Sequence, residues 1–231
     1  MEDTQAKSEE RLNNLLNLLP DQFINLPENN RGLALEIYRR LGEGLPVKLE
    51  DLIADKEISH KEAKEFLDSS GGAFYNDDGD IVGFWGLTVQ KMAHKIITDQ
   101  QTLYGWCAWD ALFIPQLLGE AATIESQSPN KEIIKLRLSA QGDVLEGSEN
   151  IMVSFLEPDA GKMMENVVTN FCHYIFLFKD KSSGEEWVKE HHGTFLLPLE
   201  DVINLSKEKN QRQFGNYLKS KSYEPFVVSN S

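Results

Sequence analysis

The sequence predicts an α+β fold in which an N-terminal winged-helix-like domain packs on a mixed α/β domain. Two observations carry that expectation. Between residues 31 and 95, helical stretches lead into a hairpin signal, the order of elements in a winged helix. After residue 95 the apolar spacing changes to short strand runs mixed with helical ones. Residues 1–30 stand apart as a helical extension, 31–95 form the winged-helix-like domain, and 96–231 form the mixed domain.

Taken in order, Leu12, Leu15, Leu16 and Leu19 fall at i, i+3, i+4 and i+7, so residues 6 to 19 read as an amphipathic helix ended by Pro20. A helical stretch around Leu33–Leu41 follows, then a Gly/Pro break at Gly42–Pro46, a short helix around Leu49–Asp55 and another around Ser59–Leu67. Phe74–Tyr75 and Ile81–Trp85 flank the turn sequence Asn76-Asp77-Asp78-Gly79-Asp80, which predicts a hairpin. In the second half, Ile133 to Leu138 and Ile151 to Leu156 read as strands around the turn-rich stretch Gln141–Asn150. Phe171 to Phe178 is nearly all apolar, as a strand buried on both faces would be. Ser183-Gly184-Glu185-Glu186 has capping-box spacing and predicts a helix through Trp187, and a last helix runs from about Leu199 towards Leu218.

The 231 residues are 41% hydrophobic, enough to bury a sizeable core. No stretch approaches the roughly 18 consecutive apolar residues of a membrane span, and the charged N-terminus lacks the apolar core of a secretion signal. The expected location is cytoplasmic. The formal charge of −14, from 37 acidic against 23 basic residues, repels nucleic acid and anionic lipid, both of which reward Lys and Arg. Neither DNA nor a membrane is therefore the expected partner, and small neutral or cationic ligands fit better. A winged helix raises DNA binding as a possibility to be weighed, but residues 31–95 hold nine Lys or Arg against twelve Asp or Glu, and the hairpin tip carries Asp77, Asp78 and Asp80. A structural or covering role suits that domain better.

Only two cysteines occur, Cys107 and Cys172, so a site of four thiolates is excluded and a structural disulfide is not expected in a reducing cytosol. Small buried hydrophobes are one reading of them. Another begins with Asp110, three residues after Cys107 and set among Trp106, Trp109, Leu112 and Phe113. If a helix begins near Cys107, the pair shares its first turn, where unpaired N–H groups favour a thiolate. Pro115 would then kink that helix or mark its true start. Burial would raise the Asp110 carboxyl so that it holds and delivers a proton near neutral pH, although a plain helix cap is also open. His173 neighbours Cys172, but adjacent residues on a strand point to opposite faces, so it is poorly placed as a base. His191, His192, His60 and His94 show no metal spacing. Two thiols and a protonatable carboxyl suit a soft, two-coordinate ion better than zinc, which wants four donors.

These residues carry a resemblance. YNDDGDIVGFWGLTV at 75–89, LYGWCAWDALFIPQLLG at 103–119 and NFCHYIFLF at 170–178 closely resemble the organomercurial (alkylmercury) lyases, with weaker matches around Trp187 and in the C-terminal RQFGNYL. Position by position, the family's two essential cysteines fall on Cys107 and Cys172 and its catalytic aspartate on Asp110. The resemblance implies that 96–231 is the catalytic domain and that the winged-helix half covers the site. Many relatives have a further cysteine near Ser128, and some have Cys-Cys where this chain has Cys172-His173; neither belongs to the essential triad.

The resemblance also implies the chemistry: protonolysis of the carbon–mercury bond of an organomercury substrate, giving a hydrocarbon and Hg(II) held by Cys107, Cys172 and Asp110. No organic cofactor or resident metal is implied. Small-molecule thiols are needed for turnover, and a mercuric reductase is the implied acceptor of the ion. The rival reading is a non-enzymatic soft-metal-binding or sensing protein whose winged helix reads DNA. The acidic hairpin argues against the DNA half of that rival. The protein is therefore expected to show no salt-sensitive DNA binding; micromolar affinity for random duplex that weakens steeply with added salt would reverse this.

Overall fold

The computed structural model describes residues 10–17, 28–54, 58–157 and 167–219. Residues 10–17 are helical (α1), and their Leu15 is buried with Leu12 and Leu16 packed on the core. The remainder of the expected 6–19 helix lies outside the described residues. Arg212 donates to the Leu16 carbonyl at 2.8 Å, and Arg11 pairs with Glu157 at 2.6 Å, so this short helix is tied to the body at two points.

Helices α2 (Glu28–Leu41), α3 (Leu49–Ile53) and α4 (His60–Ser70) come next. Ser59 caps α4 in a reciprocal box with Glu62, satisfying two amides that the first turn leaves open. Strands β1 (Ala73–Tyr75) and β2 (Ile81–Phe84) form the expected hairpin. The Asn76 side chain accepts from the amides of Asp78 and Asp80 and so closes its turn. The sheet then runs on through β3 (Leu87–Thr88), β4 (His94–Ile97), β5 (Thr102–Gly105), β6 (Ala122–Gln127), β7 (Ile133–Leu138) and β8 (Val144–Glu146). Its eight strands lie in the order β1-β2-β3-β5-β4-β6-β7-β8 and every neighbouring pair is antiparallel. On β6 and β7 every second residue is buried, the pattern of a sheet with one face on the core. Strand β8 lies inside the stretch read from sequence as turns.

A second antiparallel sheet holds β9 (Met152–Leu156) between β10 (Leu177–Phe178) and β11 (Thr194–Pro198). Helix α5 (Ala108–Leu118) is buried on nearly all sides and packs against α8 (Leu199–Phe214), α2 and strands β3 to β6. Asn210, fully buried on α8, fastens the two helices by donating to the Phe113 carbonyl at 3.0 Å and to Gln116 Oε1 at 2.8 Å. Chain between β9 and β10 includes α6 (Val167–Asn170), and α7 (Lys181–Glu190) joins β10 to β11. No helix among the described residues is long and apolar enough to cross a membrane.

Three local expectations are corrected. The run Phe171 to Phe178 is not one strand. A 3₁₀ turn spans Cys172–Tyr174, closed by the Tyr174 amide on the Phe171 carbonyl at 3.0 Å, and only Leu177–Phe178 pair as strand. The Ser154 hydroxyl draws this segment onto β9, donating to the Tyr174 carbonyl at 2.7 Å and accepting from the Phe176 amide at 3.0 Å. An apolar run says only that a segment is buried, and a buried turn serves as well as a strand once a side chain takes up its backbone groups. Helix α7 begins earlier than the capping-box spacing suggested, because Asp180 accepts the Ser183 amide at 2.8 Å and places Ser183 inside the first turn. Pro115 does not mark the start of α5, which begins at Ala108 and continues to Leu118.

Candidate active site

Strand β5 ends at Gly105 and the chain turns at once into α5, with Cys107 extended at the N-cap (φ −136°, ψ 175°). Asp110, at the third helical position, accepts the Cys107 amide at 2.8 Å, while the Cys107 sulfur faces the Asp110 amide. This is a capping box built from a cysteine and an aspartate. Its two members are the pair expected to share the first turn.

Cys172 arrives from the 3₁₀ turn. The Ala108 amide, at the start of α5, donates to the Ile175 carbonyl at 3.3 Å, so the backbone of one cysteine segment holds the backbone of the other. As a result the sulfurs of Cys107 and Cys172 and a carboxylate oxygen of Asp110 all lie within 4.8 Å of one another. The three residues are buried, at 0%, 5% and 6% exposure. The structure therefore brings together all three candidate residues. His173, by contrast, is exposed and is not part of the cluster, and it sits in a 3₁₀ turn instead of on a strand.

Burial sets the protonation of the cluster. It drives Asp110 up from 3.8 to about 6, against hydrogen bonds from Cys107 and the positive charge of Lys209. Burial also raises Cys107 well above the ordinary thiol value, helped by its hydrogen bond to Cys172 and by the Asp110 charge. For Cys172, that hydrogen bond pulls down, but burial and Asp110 outweigh it and leave this thiol raised as well. The expectation of a thiolate at the helix start is thus corrected. A helix terminus contributes about 0.3–1 kcal/mol, whereas full burial shifts a group by up to 3–5 pKa units, about 1.4 kcal/mol each. The resting thiols are neutral, and Asp110 is the group poised to lose or gain a proton near neutrality.

The other histidines stay outside the cluster. His94 is buried, with Nδ1 2.7 Å from Ser126 Oγ, and burial lowers it to about 4. His191 stacks on Trp187 with ring centroids 3.9 Å apart, and His60 lies at the surface 3.7 Å from Glu50. Ser128 closes a local turn, with its hydroxyl on Asn130 and on the Glu132 carbonyl.

A buried cluster of two thiols and one carboxyl is a donor set that suits a soft metal, and the comparisons with known proteins point to mercury chemistry. The alkylmercury lyase family model matches residues 87–211. An alkylmercury lyase of Staphylococcus epidermidis is 31% identical over 76% of this chain and 80% of its own length. This chain belongs to the alkylmercury lyase family. The alkylmercury lyase of Pseudomonas putida is 30% identical over 78% of this chain and 84% of its own length, and that of Bacillus cereus 29% over 78% and 81%. A solved structure described as the mercury-bound form of MerB2 shares the fold, with a TM-score of 0.70 at 19% identity, covering 88% of this chain and 99% of that one.

Around the cluster of this alkylmercury lyase stand residues that sequence reading missed. Gly86 (φ +98°) leaves room for the carboxyl, since a Cβ there would lie 2.5 Å from Asp110 Oδ1. At Gly105 a Cβ would meet the Cys107 carbonyl at 2.9 Å. Both glycines sit at strand ends beside a tryptophan, where glycine signals close backbone approach. Tyr38 is fully buried on α2, donates to the Trp85 carbonyl at 2.7 Å and is raised by burial and by the Asp110 charge. Lys209 on α8 is 2% exposed, and burial lowers it to about 7 while Asp110 pulls it back up. Its signal was register: Lys209 lies seven residues after Val202, on the buried face of α8.

Gly86→Ala is expected to combine a left-handed backbone strain with a clash on the carboxyl. Stability to urea should fall by about 1–3 kcal/mol, and the Cys107 amide resonance should move as its bond to Asp110 is disturbed. Wild-type stability with an unshifted amide would mean that Gly86 does not set the carboxyl's place.

Proposed function

We propose that this alkylmercury lyase cleaves the carbon–mercury bond of alkyl- and arylmercury compounds by protonolysis, with Cys107, Cys172 and Asp110 as its working groups. The observation that carries the reading is the buried cluster itself, two neutral thiols and a carboxyl that titrates near 6 with donor atoms within 4.8 Å.

A carbon–mercury bond resists protonation because mercury is content with two collinear ligands, and added thiolates push electron density towards carbon. The substrate arrives as an organomercury thiolate. Ionised Asp110 takes the proton of one thiol, and that sulfur attacks mercury. The incoming thiolate leaves with the proton of the second cysteine, whose sulfur becomes the next ligand. Mercury now holds the organic group and two cysteine thiolates, and Asp110 is protonated. The carbon–mercury bond then breaks with its electron pair on carbon, which takes the Asp110 proton. Hydrocarbon departs, Hg(II) stays on the two sulfurs, and Asp110 is again a carboxylate.

Burial serves both halves of this cycle. A carboxyl near 6 is ionised at neutral pH and able to accept, yet basic enough to take the proton of the attacking thiol and to return it. At ordinary aspartate acidity it would be a weaker base. No organic cofactor enters the scheme. Small thiols, and a mercuric reductase as final acceptor, would remove the ion. Residues 31–95 are read as a winged-helix-like domain that covers the catalytic domain at 96–231, with 1–30 as an extension, and the site is read as working in the cytoplasm.

Methylmercury or phenylmercury mixed with the protein and excess thiol should release methane or benzene, measured in the headspace. Cys107→Ser and Cys172→Ala should each abolish release while leaving the fold intact, because each removes a soft ligand but little buried volume. Near-wild-type release from either variant would sink the two-thiolate scheme.

A further inference from the structure

Among the described residues, Lys209 is the one strongly buried lysine or arginine, and the proton cycle leaves it unused. Its ammonium lies 3.5 Å from the centroid of the Phe113 ring, and Phe113 is one helical turn beyond Asp110 on α5. Its hydrogen bond to Asn210 Oδ1 is long, at 3.4 Å. Among the described residues no carboxylate comes within ion-pair distance of it, and Asp110 is the acidic group whose charge it feels. A buried ammonium needs a compensating negative charge, and a ring face supplies only part of one. Asn210, bonded in turn to Phe113 and Gln116, fixes the segment of α8 that carries the lysine against α5.

The charge of the cluster through the cycle gives this placement a purpose. At rest the two thiols are neutral and the Asp110 carboxylate carries one negative charge. With substrate bound, Asp110 is protonated, and mercury bearing one carbanion equivalent and two thiolates carries the same single charge. After cleavage the bis-thiolate Hg(II) is neutral and the charge is back on Asp110. One negative charge is always present, and it moves only between the carboxyl and the metal.

We propose that Lys209 is the counter-charge of this reaction, a positioning residue whose ammonium form offsets the negative charge as it passes from Asp110 to the mercury centre and back. The inference rests on the protonolysis reading above. The lysine touches neither substrate nor reacting atoms. It acts by keeping the resting carboxyl ionised for the thiol proton and by stabilising the anionic three-ligand mercury centre from which carbon departs, with no reorientation of water at the moment of reaction.

The test measures, in single turnover with excess protein, both hydrocarbon released and mercury retained, for wild type, Lys209→Met and Lys209→Arg. Methionine keeps length and burial without charge, and an apolar replacement of a lone buried charge preserves the fold. Lys209→Met is expected to slow hydrocarbon release by roughly 10- to 100-fold, the scale of losing one preorganised electrostatic group, while mercury retention stays at the wild-type level because both thiols remain. Lys209→Arg restores the charge and should recover most of the rate. Should Lys209→Met fail to fold, Lys209→Gln is read in the same way. Wild-type release from the uncharged variant overturns the proposal, as does equal loss in the arginine variant or loss of retention together with release. Absence of hydrocarbon from the wild type itself is a different result, because it removes the protonolysis reading and this proposal with it.

Discussion

Burial of one carboxyl group against two thiols is the constraint on which the site depends. In water, Asp110 would be a weak base with an ordinary acidity, and the thiols would be near their usual value. In the core, desolvation moves all three upward together, and Asp110 comes to rest at about 6. The three groups lie within a single small volume. Much of the surrounding structure maintains that arrangement. Helix α5 is buried on nearly every side, the glycines at 86 and 105 let backbone approach the carboxyl, and the first amide of α5 bonds the turn that carries Cys172.

The fold brings these parts together from distant stretches of chain. Strand β5 delivers Cys107 and Asp110 at the start of a helix in the core, while the smaller sheet, through Ser154 on β9, holds the Cys172 turn. Helix α8 closes the remaining side and contributes Lys209. A cap that would ordinarily be an N-terminal serine or aspartate is here a cysteine with an aspartate three residues on. The cap and the cluster therefore share the Cys107 and Asp110 side chains, and helix-cap and acid–base readings of Asp110 are compatible.

Much of this was legible in the sequence. Spacing alone located α2, the α4 helix around Ser59–Leu67, the hairpin around Asn76, and strands β7 and β9, because their patterns are local. Cys107, Asp110 and Cys172 stood out because there are only two cysteines and one aspartate set among aromatics. What escaped were features decided by tertiary contact. The 3₁₀ turn at Cys172–Tyr174 depends on the Ser154 hydroxyl, twenty residues away, and an apolar run gives no sign of it. The neutral state of Cys107 depends on burial that helix position alone does not disclose. Lys209 sits among charged and polar residues, and only its register on α8 places it inside.

The central claim is that Asp110 carries the proton, and Asp110→Asn separates that role from metal capture. The asparagine keeps size and most of the polar shape but neither accepts a thiol proton nor delivers one to carbon. The measurement is paired: mercury bound per protein and hydrocarbon released, for wild type and variant at the same thiol concentration. Mercury is expected still to bind while release falls by at least roughly 10²–10⁴-fold, the usual contribution of a positioned acid or base. Release at close to the wild-type rate would contradict it and leave Asp110 as a helix cap, and loss of binding together with cleavage would assign Asp110 to the metal site or the fold instead.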